Sequence, residues 1–286
     1  MKTIRKVWFI TGATRGFGVR IAQSALDAGD QVVATGRKVE AIETALGHHP
    51  NLLALPLDVT SEAQAQVAVA AAVKHFGRID VLVNNAGYGL LSAVEEATAA
   101  EVERLYATNV FGLLNVTRAV LPQMRRQRSG HIINLSSLGG YMAYYGWGVY
   151  GSTKFAVEGL TEAMSMELAP LGIHATVVEP GFFRTDFLDD TSLKVAREIA
   201  DYADTVGQMR HLAADLNHAQ PGNPDKLAAA ILELASTDTP PLRLPLGSDA
   251  LQRIADKHAQ VERETRQWRG LSQSTDFAPE AHAAAE

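Results

Sequence analysis

A phenol and an amine stand four residues apart in the stretch YGSTK, Tyr150 to Lys154. Residues at i and i+4 share one helix face, with Cβ atoms about 5–6 Å apart. A free phenol ionises near pH ~10, so lowering that by ~3 units requires ~4 kcal/mol of preference for the phenolate. One unit charge at ~4 Å in an effective dielectric of ~20 supplies ~4 kcal/mol. The pair is therefore expected to give a tyrosine that takes and gives a proton near neutral pH. The spacing alone also occurs where an aromatic fills a core and a lysine snorkels past it. Ser137 adds what the pair lacks. It closes the apolar run HIINLSS at the carboxyl edge of a strand, where its hydroxyl can hold a carbonyl oxygen beside Tyr150.

A second constellation lies near the amino terminus. TGATRGFG, residues 11–18, follows an apolar run and opens a helical pattern, the context of a dinucleotide site. Glycines at 12, 16 and 18 admit positive φ and let a pyrophosphate approach the backbone, and free amides at the helix start meet its charge. The spacing is G-x-x-x-G-x-G. About 20 residues on, an NAD site places an acid that binds the ribose hydroxyls. Here Gly36 occupies that place and Arg37 follows it, while Arg15 sits in the glycine turn. Guanidinium groups suit a 2′-phosphate, so NADP(H) is the expected cofactor, with NAD(H) as second choice. Read blandly, Arg37 and Lys38 simply begin a solvated helix.

The elements that must position these groups are legible as an alternation of short β-branched runs with longer amphipathic stretches. Strands are expected at 7–11, 31–36, 52–59, 81–87, 131–136, 174–181 and 242–247. Helices are expected at 17–28, 38–46, 61–76, 98–127, 147–169 and 224–235, with Thr60 and Ser61 as candidate caps of the third. With no hinge, repeat or charge block, this predicts an α/β fold. It is a single doubly wound Rossmann domain spanning 1–286, with a mostly parallel seven-stranded sheet and helices on both faces. Residues 186–222 break the rhythm and are expected to form a helical substrate lid. Residues 248–286 are expected to add a helical C-terminal extension, a charged helix followed by a frayed polar end.

Composition narrows the function. The 26 basic and 32 acidic residues give a net charge of -6, without the basic footprint of a nucleic-acid binder. The absence of cysteine excludes disulfides and thiol nucleophiles, and the nine histidines show no metal-ligand spacing, so no metal is expected. The apolar run after MKTIRK is too short for a signal peptide and no stretch approaches a membrane span, so a cytoplasmic protein is expected.

Taken in order, TGATRGFG, LDVT, NNAG (84–87), Asn109, Ser137, YGSTK and PGFFRT (180–185) make the chain resemble the short-chain dehydrogenase/reductase superfamily, in its compact branch, over roughly residues 5–250. PLRLPLG and the long tail are further similar to the 17β-hydroxysteroid-dehydrogenase-like subgroup, a likeness of form that does not fix a steroid substrate. The resemblance implies Tyr150 as general acid/base and Ser137 as carbonyl holder. It implies that Lys154 binds the nicotinamide ribose while lowering the tyrosine pKa, and that Asn109 holds a water in a proton relay. It places Gly12, Thr14, Gly16, Phe17 and Gly18 around the phosphates and Asp58 and Val59 at adenine. Asn85, Ala86 and Gly87 would shape the ribose site, and Pro180, Gly181, Phe183 and Thr185 would meet the nicotinamide. The implied reaction is hydride transfer between nicotinamide and a carbonyl or secondary alcohol, by a homodimer or homotetramer paired through helix 147–169, which presents Ala156, Leu160, Ala163 and Met164 beyond the catalytic face.

Two other functions fit less well. A catalytically silent NADP(H)-binding sensor or scaffold has no need of Ser137, Tyr150 and Lys154 together. An epimerase or dehydratase of the extended branch would carry a different glycine spacing and a larger carboxyl-terminal domain. The aromatics Tyr141, Tyr144, Tyr145 and Trp147, with Tyr88, Leu90, Phe182, Phe183 and Phe187, either line a pocket for a small hydrophobic carbonyl or alcohol or fill a core or subunit contact.

Overall fold

All seven apolar runs expected as strands form strands in the computed structural model, which describes residues 5–277. In chain order they are β1 (Val7–Ile10), β2 (Gln31–Gly36), β3 (Leu52–Pro56), β4 (Val81–Asn84), β6 (Gly130–Leu135), β7 (Ile173–Pro180) and β9 (Arg243–Leu246). Two three-residue strands, β5 (Gly89–Leu91) and β8 (Leu193–Val195), complete the set. The large sheet runs β3-β2-β1-β4-β6-β7-β9 with every pairing parallel. The chain moves outward one way from β1 to β2 and β3, then the other way through β4, so the order reverses between β1 and β4. Ligands of such sheets bind at that crevice, beyond the carboxyl ends of the strands.

Alternate residues of β1 show why its sequence is continuously apolar. Trp8 and Ile10 enter one core with helices α1 (Gly16–Asp27), α2 (Val39–Leu46) and α8 (Pro224–Ser236). Val7 and Phe9 enter the other, with α3 (Glu62–Phe76), α5 (Leu113–Gln127) and α6 (Gly148–Leu168). A strand buried on both faces needs apolar side chains at both parities. Each such side chain contributes about 1.5–3 kcal/mol by leaving water.

The helices agree with expectation in place and differ in two details. Ser61, not Thr60, caps α3, its hydroxyl accepting from the Gln64 amide at 3.3 Å; Thr60 instead donates to Asp58. The single helix expected at 98–127 is three pieces: α4 (Ala99–Tyr106), opened by a Thr98–Glu101 capping box, a π-helical turn at Ala107–Gly112, and α5. Such turns inside helices are frequent at functional sites.

The segment 186–222 is less helical than expected. It contains α7 (Gln208–Leu216), but also β8, which pairs in parallel with β5. The glutamate Glu96, wholly buried, fastens this segment. It accepts from the amides of Ala93 (2.7 Å) and Ile199 (2.9 Å) and from Arg210 (2.5 Å). The last helix, α9 (Ser248–Gln273), is about 39 Å long at 1.5 Å per residue. Of its residues only Ala250 is buried. The polar end expected to fray falls on 278–286, outside the described residues. Among the described residues no helix is long and apolar enough to cross a membrane.

Candidate active site

The glycine turn is clamped from beneath by the β4 end. Thr11 Oγ1 accepts from the amides of Asn85 and Ala86, each at 3.0 Å, and Asn85 Nδ2 donates back to the carbonyls of Thr11 (2.9 Å) and Gly12 (3.1 Å). Gly12 has φ +67°, and a Cβ there would lie 3.0 Å from Ala86 Cα. A Cβ on Gly18 would come within 2.3 Å of the Gly12 carbonyl oxygen, so Gly18 serves close packing and does not line the cleft. Gly16 is different: it has φ +54° and nothing within 4 Å of where its Cβ would be. That opening adjoins the start of α1, whose cap residue Arg15 makes no side-chain capping bond and whose first turn carries no acid. Free amides, no competing negative charge and open space fit the pyrophosphate of a dinucleotide.

At the expected adenosine end, the position of the NAD-type acid is closed by packing. A Cβ on Gly36 would sit 2.7 Å from Thr14 Cγ2. Arg37 beside it is exposed, and Arg15 reaches across to donate to the Thr191 carbonyl at 2.9 Å. Asp58 is turned toward its own loop, accepting from Thr60, and the Val59 carbonyl accepts from Asn115.

A continuous cleft of about 920 Å³ joins these residues to the reactive group. It is lined by Gly12, Thr14, Arg15, Gly16, Phe17, Arg37, Asp58, Val59, Asn85, Ala86 and Gly87 on one side. Ser137, Tyr150, Lys154, Pro180, Gly181, Phe183 and Thr185 line the other. Ser137 and Tyr150 flank Gly139, where a Cβ would be 3.5 Å from Ser137 Oγ and 3.8 Å from Tyr150 Cε1. Ser137 Oγ itself accepts from the Gly139 amide at 3.1 Å.

The electrostatics of the pair correct the expectation drawn from its spacing. Burial pushes the Tyr150 phenol above its ordinary range, and the neighbouring Ser137 hydroxyl only partly offsets this. The Lys154 ammonium lies 5.8 Å from the ring centroid and donates instead to the Leu135 carbonyl at 2.8 Å. Burial brings that amine down to about 8, with Glu158 opposing. Before a ligand enters, the lysine therefore does not depress the phenol; desolvation dominates both groups.

Asn109 is also committed differently. From the π-helical turn, its Oδ1 accepts from the Tyr88 amide (3.1 Å) while its Nδ2 donates to the Tyr88 carbonyl (3.0 Å) and to Thr153 Oγ1 (3.2 Å). Its side-chain donors are used in tying the loop after β4 to α6, and the residue does not line the cleft.

The aromatic stretch divides between the two readings. Tyr88, Leu90, Tyr144, Trp147, Phe182, Phe183 and Phe187 line the cleft, with Trp147 and Phe187 rings 6.4 Å apart and stacked. Tyr145 is exposed, and Tyr141 leaves for Arg243 and His258. Sequence reasoning missed Gln220, which lines the cleft at 2% exposure with neither side-chain polar atom hydrogen-bonded. Nothing in its neighbourhood, AQPGN, signals chemistry. Among the described residues no three His, Asp or Glu side chains gather to hold a metal ion.

Comparisons with known proteins agree on one family. The family model described as short chain dehydrogenase matches residues 6–196. The "Oxidoreductase BOA17" of Botryotinia fuckeliana is 39% identical over 93% of this chain and 98% of its own. The crystal structure of a short-chain dehydrogenase from Streptomyces avermitilis is 42% identical, covers 96% of this chain and 100% of its own, and superposes with a TM-score of 0.90. The closed form of a serine dehydrogenase complexed with NADP+ is 29% identical over 84% of this chain and 94% of its own, with a TM-score of 0.71.

Proposed function

Because the chain belongs to the short-chain dehydrogenase family, we propose that it is an NADP(H)-dependent oxidoreductase acting between a carbonyl and a secondary alcohol, with Tyr150 as general acid/base. The observation that carries this reading is one cleft with uncapped helix amides at one end and Ser137 and Tyr150 together at the other. When bound, the nicotinamide supplies or accepts the hydride. Tyr150, kept protonated by burial, is poised to give its proton to a carbonyl oxygen, and Ser137 orients that oxygen by a second hydrogen bond. Lys154 holds positive charge behind the phenol and has donors left for ribose hydroxyls. Asn109 keeps the 85–88 loop in register beside Lys154: a Cβ on Gly87 would be 3.1 Å from Asn109 Oδ1 and 3.8 Å from Lys154 Nζ.

NADP(H) preference is supported by exposed Arg37, by Arg15 at the cleft and by the packing that excludes an acid at Gly36. The lining by Tyr88, Trp147, Phe187 and Leu188 supports a small hydrophobic carbonyl or alcohol as substrate, under a lid formed by 186–222. A homo-oligomer is supported by exposed apolar side chains at Phe111, Phe155 and Met166. These replace the expected Met164, which faces the core because the helical period carries 157, 161, 164 and 168 onto the sheet.

Tyr150→Phe tests the reading. It should leave cofactor affinity within a few-fold while turnover falls by about 10²–10⁴. Retained turnover would overturn the assignment, and an NADH specificity constant equal to that for NADPH would overturn the cofactor preference.

A further inference from the structure

One turn beyond Lys154 on α6, Glu158 points into the protein at 5% exposure and takes no part in lining the cleft. Gly140 shows what surrounds it. A Cβ there would lie 2.4 Å from Ser136 Oγ, 3.0 Å from Lys154 Cβ and 3.1 Å from Glu158 Oε1, so hydroxyl, lysine stem and carboxylate converge where only glycine leaves room. Ser136 Oγ and Glu158 Oε1 both border that point, and neither makes a hydrogen bond within the protein. The second carboxylate oxygen pairs with Arg243 of β9, whose guanidinium also meets Glu179 of β7 (3.1 Å) and Glu162 of α6 (2.9 Å). Tyr141, after β6, lies under the same guanidinium and bonds His258 of α9. With Tyr150 on α6, these are the titratable and charged groups facing the carboxylate and its lysine.

We propose that Glu158 is a positioning residue for the reaction at Tyr150: its carboxylate, paired with Arg243 and bordered by Ser136, keeps the desolvated Lys154 amine in its ammonium form. The inference rests on the reading of Tyr150 and Lys154 given above. Burial favours the neutral amine, and Glu158 is the group that opposes it. Burial and Glu179 raise the Glu158 carboxyl to about 7, against Ser136 and Arg243, which favour the carboxylate. Above about pH 7 the carboxylate is charged and opposes loss of the lysine's proton. Without the carboxylate, Lys154 loses its proton at lower pH.

Glu158→Gln keeps the side chain's shape and removes its charge. In the ligand-free protein the ionisation of Lys154, followed by the pH dependence of amine modification at that residue, should move to lower pH by about one unit, tenfold in the ratio of charged to neutral lysine. The alkaline limb of kcat/KM should move with it, giving a large loss at pH 8.5 and little at pH 6. Glu158→Asp, which withdraws the carboxylate by one methylene, should shift both in the same direction by less, and it serves if Glu158→Gln does not fold. A uniform loss at every pH, or an unmoved lysine titration, overturns the proposal. If the unmodified protein reduces no carbonyl, the functional reading fails, while the lysine titration still decides the role of Glu158.

Discussion

The glycine turn and the lid face one cleft, and different forces hold them. Around the turn, contacts are made by backbone and by short side chains whose donors are all spent: Thr11 and Asn85 lock β1 to β4, and Gly12 and Gly18 sit where any Cβ would collide. On the lid side a single buried carboxylate, Glu96, gathers two amides and a guanidinium, while polar atoms of Tyr144, Arg210, Asn217 and Gln220 are buried with no partner. Buried polar groups are normally satisfied, and those left over await a ligand, a water or a rearrangement. One wall is preorganised by spent donors and close packing; the other leaves polar atoms unpaired around Glu96 and the β5–β8 pairing.

Substitutions can break that contrast. The largest effect is expected at the anchor: Glu96→Ala strands Arg210, and breaking a buried pair costs about 3–5 kcal/mol, measurable by denaturant unfolding. Burial alone would raise the Glu96 carboxyl, but the amides of Ile199 and Ala93 and the Arg210 guanidinium outweigh it and hold it below the usual range. Its contribution is therefore complete at neutral pH and is lost as pH falls through that lowered value, so the variant should show a shallower acid slope in stability. Next comes Gly18→Ala, where overpacking against the Gly12 carbonyl should cost about 1–3 kcal/mol of stability, read by denaturant unfolding. Arg37→Ala should lower the preference for NADPH over NADH about tenfold, or ~1.4 kcal/mol. Its effect on thermal stability should stay within about 0.5 kcal/mol, as at other exposed sites. The smallest change is sought at Gln220→Leu. Removing unpaired buried donors should raise ligand-free stability by about 1 kcal/mol. A fall there would show that Gln220 already has a partner and would place the lid with the rigid wall.

Much of this was legible because burial on both faces writes itself into composition. The strands β1, β2, β4, β6 and β7 are runs that no solvent-facing element would carry, and the cleft lies where their order reverses. Three-residue strands such as β5 and β8 are too short to leave a period. The π-helical turn was hidden because helical spacing continues on either side of it. The spacing of Tyr150 and Lys154 set their separation, yet it carried no information about desolvation, which reversed the direction of the phenol's shift. Asn109 was recognisable as important, but its hydrogen bonds to Tyr88 join residues 21 apart in sequence.

The contact between Thr14 and the empty side-chain position of Gly36 has a consequence for how this site can change over generations. A side chain introduced at 36 alone would meet the Thr14 methyl at 2.7 Å, so it fits only if Thr14 rotates or shifts. A smaller residue at 14 would relieve the contact. The two positions are therefore coupled, and a change at one alters what the other tolerates.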